Sequence, residues 1–340
     1  LSSVSVSHAG AHGSPDVYAD FPITLKGYSG DAATSESYGG QMARHMLHNG
    51  LKKAAASGDL AKMEMYFNGA KSVPILDPKS SSKFPIKQKL VEELSGGKTL
   101  VKKTYKGKVV GWPGNMTGAE VIQFMMEKAA SAPKGFDAST GYNYPQLISK
   151  FAMGAVFYNQ ACTNYLGDKK LSSKSKPNDA PYKKGARYTG KEHVWDEAFG
   201  YFGAPANGLS LSAKEVVQIT KQNPEVFAKA DANGDGVVDL KSEMAFAHAY
   251  YAASVDASAG TNYFHTIMQA FVDGRQLISD AKGKALTDAQ RTELKEYAAV
   301  IATAWQQVIA EAAFKYAGSV YADLEKIAVI EEAHGDVSKA

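Results

Sequence analysis

The sequence predicts an all-α fold, built as one helical bundle or as two bundles side by side. Between Thr287 and Tyr316 apolar residues recur at intervals of three and four, the spacing of a buried helix face. Capping boxes, in which a Ser or Thr precedes a Glu or Gln by three residues, mark helix starts at 212–215 and 287–290. The predicted helices are long and their connections short, which favours antiparallel neighbours around a common core.

The helical segments can be placed in chain order from caps, breakers and apolar spacing. They cover residues 36–56, 59–67, 118–131, 144–166, 191–202, a short stretch after 212, 242–254, 262–281, 287–316 and 319–332. Residues 98–112 alternate polar and apolar side chains around a Lys-Gly pair, which predicts a small β-hairpin insertion. Residues 168–191 predict a basic loop, either simply solvated or attracting an anionic partner.

Composition predicts one helical domain over residues 35–340, after a flexible N-terminal tether over residues 1–34. The opening residues are rich in Ser, Gly, Ala and His, which is typical of a tether or a trimmed leader. A chain of 340 residues with 44% hydrophobic side chains can bury a substantial core. The single cysteine, Cys162, excludes an internal disulfide and lies in an apolar segment, which predicts a buried thiol.

Charge and hydropathy argue against nucleic-acid binding and against a transmembrane segment. The 38 basic and 35 acidic residues give a net charge of +3, which argues against a nucleic-acid-binding protein. The sequence has no apolar run of about 18 residues, so no transmembrane segment is predicted.

Residues 231–243 have the spacing of an EF-hand calcium loop. Oxygen-bearing side chains fall at loop positions one, three, five and nine, and a glycine stands at position six, where the chain must turn sharply. Position twelve is Ser242, and the expected carboxylate comes one residue later, at Glu243. We expect Glu243 to reach back into the loop, or the site to be weaker than a regular EF-hand; the alternative is a polar turn. The predicted calcium ligands are Asp231, Asn233, Asp235, Val237 (through its carbonyl), Asp239 and Glu243.

A second cluster of metal-ligating side chains lies in the segment 191–202. On a helix, His193 shares a face with Asp196 and Glu197, and an imidazole with two carboxylates can ligate iron or zinc. The segment has one histidine, so it lacks the His-Glu-x-x-His pattern of zinc peptidases. The alternative is a structural hydrogen-bond network. Further ligands would come from other helices, the candidates being His45, His48, Glu64, His248 and His265.

Five segments together resemble a known family. They are Tyr38-Gly-Gly-Gln-Met-Ala-Arg-His-Met-Leu47, Met153-Gly-Ala-Val-Phe-Tyr158, Glu192-His-Val-Trp-Asp-Glu-Ala-Phe-Gly-Tyr-Phe-Gly203, Asp231 to Glu243, and Ala270-Phe-Val-Asp-Gly-Arg275. The chain is similar in these segments to an imelysin-like bacterial domain of unknown function, of the DUF4856 type. The resemblance runs from about residue 35 to the end of the chain.

The resemblance implies two four-helix bundles packed together in an exported protein, either periplasmic or anchored to the outer membrane as a lipoprotein. Imelysins are linked to iron uptake, carry a Gly-x-His-x-x-Glu motif thought to bind metal, and include proteins classed as metallopeptidases. His193 takes the place of the motif histidine, while Lys191 replaces the glycine and Asp196 the glutamate.

Three functions are therefore expected from the sequence. The first is an exported, non-catalytic metal-binding protein in the acquisition of iron or another metal, with a structural calcium ion. The second is a metallopeptidase in which His193, Asp196 and one remote residue bind zinc and Glu197 acts as the base. The third is a cell-surface module that binds a glycan or a protein through aromatic loops such as 111–115 and 141–144.

Overall fold

The computed structural model describes residues 16–334, with side chains described as far as residue 329, and this part of the chain is mostly helical. It contains eleven α-helices, one π-helix and one two-stranded hairpin. The α-helices are α1 Gly39–Ser57, α2 Leu60–Asn68, α3 Gly118–Ser131, α4 Tyr144–Ala152, α5 Asp168–Leu171, α6 Gly190–Phe202, α7 Ala213–Thr220, α8 Phe227–Ala230, α9 Ala247–Ala259, α10 Tyr263–Asp280 and α11 Asp288–His334. The π-helix Met153–Tyr165 continues directly from α4.

Helix α6 lies at the centre of the core. It packs against α1, α10 and the π-helix, and eleven of its 13 residues are buried. Two glycines make this close packing possible: a Cβ at Gly200 would lie 2.7 Å from the Gln41 side chain, and one at Gly274 would lie 2.2 Å from the Trp195 ring. Helix α6 begins at a capping box between Thr189 and Glu192.

Several helices form where caps and apolar spacing place them. Helix α3 has the predicted bounds, and a capping box between Thr117 and Glu120 fixes its start. The predicted boxes at Ser212 and at Thr287 also form, since each N-cap side chain accepts from a backbone N–H three residues on and the reciprocal bond is present. Helix α11 runs without a break through Gly318, so the two predicted C-terminal helices are one.

The hairpin forms at a different place from the one predicted. Strands β1 Phe136–Asp137 and β2 Tyr142–Asn143 pair antiparallel around a turn that contains Gly141, whose φ is 74°. Residues 98–112 instead contain a short 3₁₀ turn at Val101–Lys103. Two of their backbone N–H groups bond outward, that of Leu100 to the carbonyl of Phe67 at 3.1 Å and that of Tyr105 to the carbonyl of Ala155 at 2.8 Å. These outside acceptors replace the cross-strand bonds of a local hairpin.

The predicted tether is packed in its described half. Tyr18 and Phe21 are fully buried, and the Tyr18 ring stacks on Phe199 with centroids 3.7 Å apart. The Tyr18 backbone N–H also donates to the carbonyl of Ala206 at 2.9 Å. Residues 1–15 of the tether prediction lie outside the described residues.

None of the helices in residues 16–334 combines the length with the apolar character that crossing a membrane would require.

Candidate functional site

The predicted calcium loop, residues 231–243, is not directly flanked by two long helices. Helix α8, which leads into it, is four residues long, and the next helix, α9, begins only at Ala247. The helix predicted from residue 242 therefore starts five residues late. Residues 242–246 are drawn into the core, because Ala206 N–H donates to the Ser242 carbonyl at 2.7 Å and Phe246 N–H donates to that of Gly203 at 2.8 Å.

Glu243 reaches back across the loop. Its Oε1 accepts from the backbone N–H groups of Ala232 at 3.1 Å and Asn233 at 3.2 Å, and its Oε2 accepts from that of Asp239 at 2.7 Å. One carboxylate thus joins both ends of the loop. Burial raises the pKa of Glu243, although hydrogen bonds from the Asp239 and Asn233 backbones oppose the shift.

The first half of the loop is shaped by its own side chains. Asp231 accepts from the backbone N–H groups of Asp235 at 3.0 Å and Gly236 at 2.9 Å. Asn233 Oδ1 accepts from Asp235 N–H at 2.9 Å, and Asp235 Oδ1 accepts from Val237 N–H at 3.1 Å. Gly234 and Gly236 have φ of 72° and 87°, the left-handed region that favours glycine.

A separate segment braces the second half of the loop. Ile86 and Val238 form a parallel bridge, in which Val238 N–H donates to the Pro85 carbonyl at 2.9 Å and Lys87 N–H to the Val238 carbonyl at 3.1 Å. Val238 is fully buried, so this bridge fixes the loop to the core.

Asp239 has basic and amide partners on this bracing segment. Its Oδ2 accepts from Lys87 Nζ at 3.1 Å, and its Oδ1 accepts from Gln88 Nε2 and from Lys241 N–H, both at 2.8 Å. Burial would raise the pKa of Asp239, but these hydrogen bonds and the Lys87 charge outweigh it and lower the pKa.

The loop oxygens can be tested against the needs of calcium. A carboxylate has about four lone-pair sites. Asp231 and Asp235 each accept two hydrogen bonds, so both keep lone pairs that could bind an ion. Asp239 and Glu243 each accept three hydrogen bonds and keep less. Among residues 16–334 no three His, Cys, Asp or Glu side chains converge closely enough for a metal-ligand group. The oxygen atoms of the loop are of the type that calcium prefers, but the carboxylates would have to move closer together to coordinate an ion.

The second cluster divides into a half-buried pair and one fully buried carboxylate. His193 and Glu197 are the two residues of α6 that are not buried, and they share one face, with His193 Nε2 lying 3.8 Å from Glu197 Oε2. The His193 ring packs against two tyrosines. It stacks on Tyr188, with ring centroids 4.6 Å apart, and lies tilted against Tyr182, with centroids 4.1 Å apart. Burial lowers the pKa of His193, and the nearby Glu197 opposes that shift.

Asp196, in contrast, is fully buried. Its Oδ1 accepts from Arg275 Nε and Tyr18 OH, each at 2.9 Å, and its Oδ2 accepts from Ser37 N–H at 2.8 Å. The Arg275 guanidinium, which is fully buried, also lies 3.4 Å from Glu192. Asp196 therefore belongs to a buried ion-pair network and does not approach His193 and Glu197 as a third ligand.

The remote ligand candidates do not join His193. His45 and His48 are buried and donate from Nε2 to the carbonyls of Gly200 and Ser149, both at 3.0 Å. His248 packs edge-on against Trp305, His265 bonds the Leu211 carbonyl at 2.8 Å, and Glu64 is exposed.

The aromatic loops proposed for glycan binding are only partly accessible. Trp112 is half-buried and packs against Phe124 and Phe151. In the hairpin, Tyr142 is 54% exposed while Tyr144 is buried. One aromatic ring of these two loops is thus freely presented.

Cations beside Glu197 are the feature that sequence reasoning missed. Lys98 and Lys103 lie near enough to Glu197 to be attracted by its charge, and near enough to Arg44 of α1 to be repelled by it. The available signal was an arginine placed among the apolar positions of α1, where a charged side chain needs a reason to be buried.

A comparison with known families now places this helical chain. It belongs to the family described as Domain of unknown function (DUF4856), whose model matches residues 124–340. The match includes α6 and the loop 231–243, whereas α1 precedes it. No curated protein and no solved structure matches the chain.

Proposed function

We propose that the chain is a non-catalytic binding protein, stabilised by calcium in the loop 231–243 and active outside the cytoplasm. The observation that carries this proposal is Glu243, whose carboxylate bridges both ends of a loop with oxygen side chains at EF-hand spacing. Asp231, Asn233, Asp235 and the Val237 carbonyl would supply most of the ligands. The bridge between Ile86 and Val238 supports a structural role, because it ties the loop to the core.

A weak site favours an extracellular location. Ser242 replaces the usual position-twelve carboxylate, and Lys87 already neutralises Asp239. Extracellular calcium modules work with dissociation constants of about 10⁻⁴–10⁻³ M, far weaker than cytosolic sensors. A loop of this composition would therefore fill in the periplasm or at the cell surface.

A role in the acquisition of iron or another metal, as in imelysins, is the more specific form of the proposal. His193 and Glu197 support it, because they are the half-buried pair on an otherwise buried helix. Two protein ligands suit the capture of an ion that keeps other ligands of its own. A metallopeptidase fixes its zinc with three protein ligands, and Asp196 is engaged by Arg275. The pair thus favours binding over peptidase activity.

Calcium titration by calorimetry tests the structural site. We expect one calcium ion per chain, with an increase of the melting temperature in calcium buffer that is absent in chelator. Asp235→Ala should lose both the heat and the increase, whereas Asp179→Ala, which removes an exposed carboxylate outside the loop, should keep them. Equal melting temperatures of the wild type in calcium and in chelator would refute the assignment.

Metal analysis of the undialysed protein tests the second part. Iron or zinc at a stoichiometric level, lost in His193→Ala while calcium is retained, is the expected result. Unchanged transition-metal content in His193→Ala would leave His193 and Glu197 without a metal role.

A further inference from the structure

The half-buried face of α6 that carries His193 and Glu197 meets a group of basic side chains. Gln41, in the first turn of α1, donates to Glu197 Oε1 at 3.0 Å, and Lys98 passes beside Gly40 in the same turn. Lys103 donates to the Tyr165 hydroxyl at 2.9 Å, and Tyr165 stacks on Tyr201 with centroids 6.0 Å apart. Helix α1, the π-helix and α6 thus converge here.

Arg44 is the innermost cation of this group. It is 7% exposed, and it donates to the carbonyls of Thr99 at 3.0 Å and Gly40 at 3.1 Å. Its guanidinium carbon lies 5.9 Å from the centre of the Tyr201 ring. In the described part of the chain no carboxylate lies within ion-pair distance of Arg44, Lys98 or Lys103. A buried guanidinium without a carboxylate partner has unused capacity for an anion.

The two lysines experience this uncompensated charge. Burial, followed by repulsion from Arg44, lowers the pKa of Lys98. Burial also lowers the pKa of Lys103, and the attraction of Glu197 only partly offsets it. Lys183, from the basic loop 168–191, adds another positive charge near Lys98. One carboxylate therefore faces four basic side chains.

Two further observations point to an absent partner. The Tyr201 hydroxyl is fully buried and, among the described residues, has no acceptor for its proton; its neighbour Arg44 is itself a donor. Helix α1 begins without a side-chain cap and without an acidic residue in its first turn. The N-terminus of this 19-residue helix therefore presents its own partial positive charge beside Lys98.

We propose that Arg44, Lys98 and Lys103 form a binding site for a small anion that carries a carboxylate or phosphate group. The Tyr201 hydroxyl would donate to the same group. Glu197 accepts from Gln41 on Oε1, while Oε2 lies 3.8 Å from His193 Nε2 and Tyr165 is a further neighbour of the carboxylate. A carboxylate has about four lone-pair sites, so Glu197 can also accept from a hydroxyl of the ligand. The site thus favours a hydroxylated anion, such as a hydroxy acid or a sugar phosphate, and it contains none of the proposed calcium ligands.

Calorimetric titration with inorganic phosphate, malate and succinate tests this site and distinguishes the two anionic groups. Lys103→Gln removes one cation and should weaken binding about tenfold, the usual loss for a charge-assisted hydrogen bond. Lys102→Gln is the matched control, because Lys102 is exposed and belongs to the same turn. Arg44→Gln should abolish binding, with circular dichroism to verify that the variant folds.

Binding of at least one anion, weakened by Lys103→Gln and unchanged in Lys102→Gln, is the expected result. Phosphate binding alone would identify a phosphate ligand, and malate binding tighter than succinate would identify a hydroxy acid held through Glu197. The proposal is overturned if no anion binds the wild type, or if both lysine variants weaken binding equally. Equal affinities for malate and succinate would overturn the role given to Glu197.

Discussion

Mild acid should destabilise the fold strongly because three histidines are buried in the neutral form. Burial lowers the pKa of His45 and His248 to about 3 and that of His48 to about 4, against 6.5 for an ordinary histidine. The unfolded chain therefore binds more protons than the folded one below pH 6.5. Stability is complete above that value and is lost as the pH falls toward 4.

The magnitude follows from these pKa values. Between pH 7 and pH 5 each of these histidines becomes almost fully protonated in the unfolded chain but stays neutral in the folded chain. This difference lowers the free energy of unfolding by about 2 kcal/mol per group. The three together remove about 5–6 kcal/mol. Proteins of ordinary stability have about 5–15 kcal/mol in total, so the fold should be close to unfolding at pH 5.

Urea denaturation measures this loss through the fluorescence of the buried residues Trp195 and Trp305. The titrations should be run in chelator, so that pH-dependent calcium binding does not contribute. His248→Phe keeps a ring against Trp305, whose centroid is 5.1 Å from that of His248, and removes one titrating group. We expect the loss between pH 7 and pH 5 to shrink by about 2 kcal/mol in this variant.

Two results would refute the reasoning. A wild-type loss of less than about 2 kcal/mol would mean that at least two of the histidines accept protons in the folded state. An identical loss in His248→Phe would mean that acid acts through other groups, since this variant isolates the contribution of one imidazole.

Three further predictions concern charged side chains. Lys87→Met should tighten calcium binding about fivefold. A calcium ion on Asp239 would lie roughly 5 Å from the Lys87 ammonium, and the substitution removes about 1 kcal/mol of screened repulsion between them. In the same calorimetry, Lys89→Met, which changes an exposed lysine, should leave the affinity unchanged. Arg275→Met should lower the free energy of unfolding by about 3–5 kcal/mol, because it leaves two buried carboxylates unpaired. Lys326→Met, at a pair in which both side chains are exposed, should cost less than about 1 kcal/mol in parallel urea titrations. Burial lowers the pKa of Lys191, whose ammonium donates to three backbone carbonyls, to about 8, so between about pH 8 and 10 the unfolded chain binds a proton that the folded chain has lost. As the pH rises through that range, the wild type should gain stability relative to Lys191→Met, and a constant difference in unfolding free energy would contradict this.

Local signals predicted most of the helices but not their partners. Helix α3 has its predicted bounds, and the capping box at its start, between Thr117 and Glu120, is a local feature whose bonds span only three residues. The same reasoning placed His193, Asp196 and Glu197 on one face, since they share it on a helical wheel. It could not reveal Arg275, 79 residues from Asp196, whose buried guanidinium draws that carboxylate into the core. The late start of α9 has a similar cause, because Ala206 and Gly203 bond to residues that follow the loop.

The two candidate sites are physically connected through the start of α1. Lys241, at the end of the calcium-like loop, lies 3.7 Å from Glu36 and 5.4 Å from the centre of the Tyr38 ring. Three residues further on, Gln41 donates to Glu197 at the half-buried face of α6. An ion that holds the loop closed would also hold Lys241 against this turn of the chain, and so would fix the helix end that carries the anion site. A calcium ion bound in the loop, as proposed, would thus influence ligand binding at the proposed anion site without contacting the ligand.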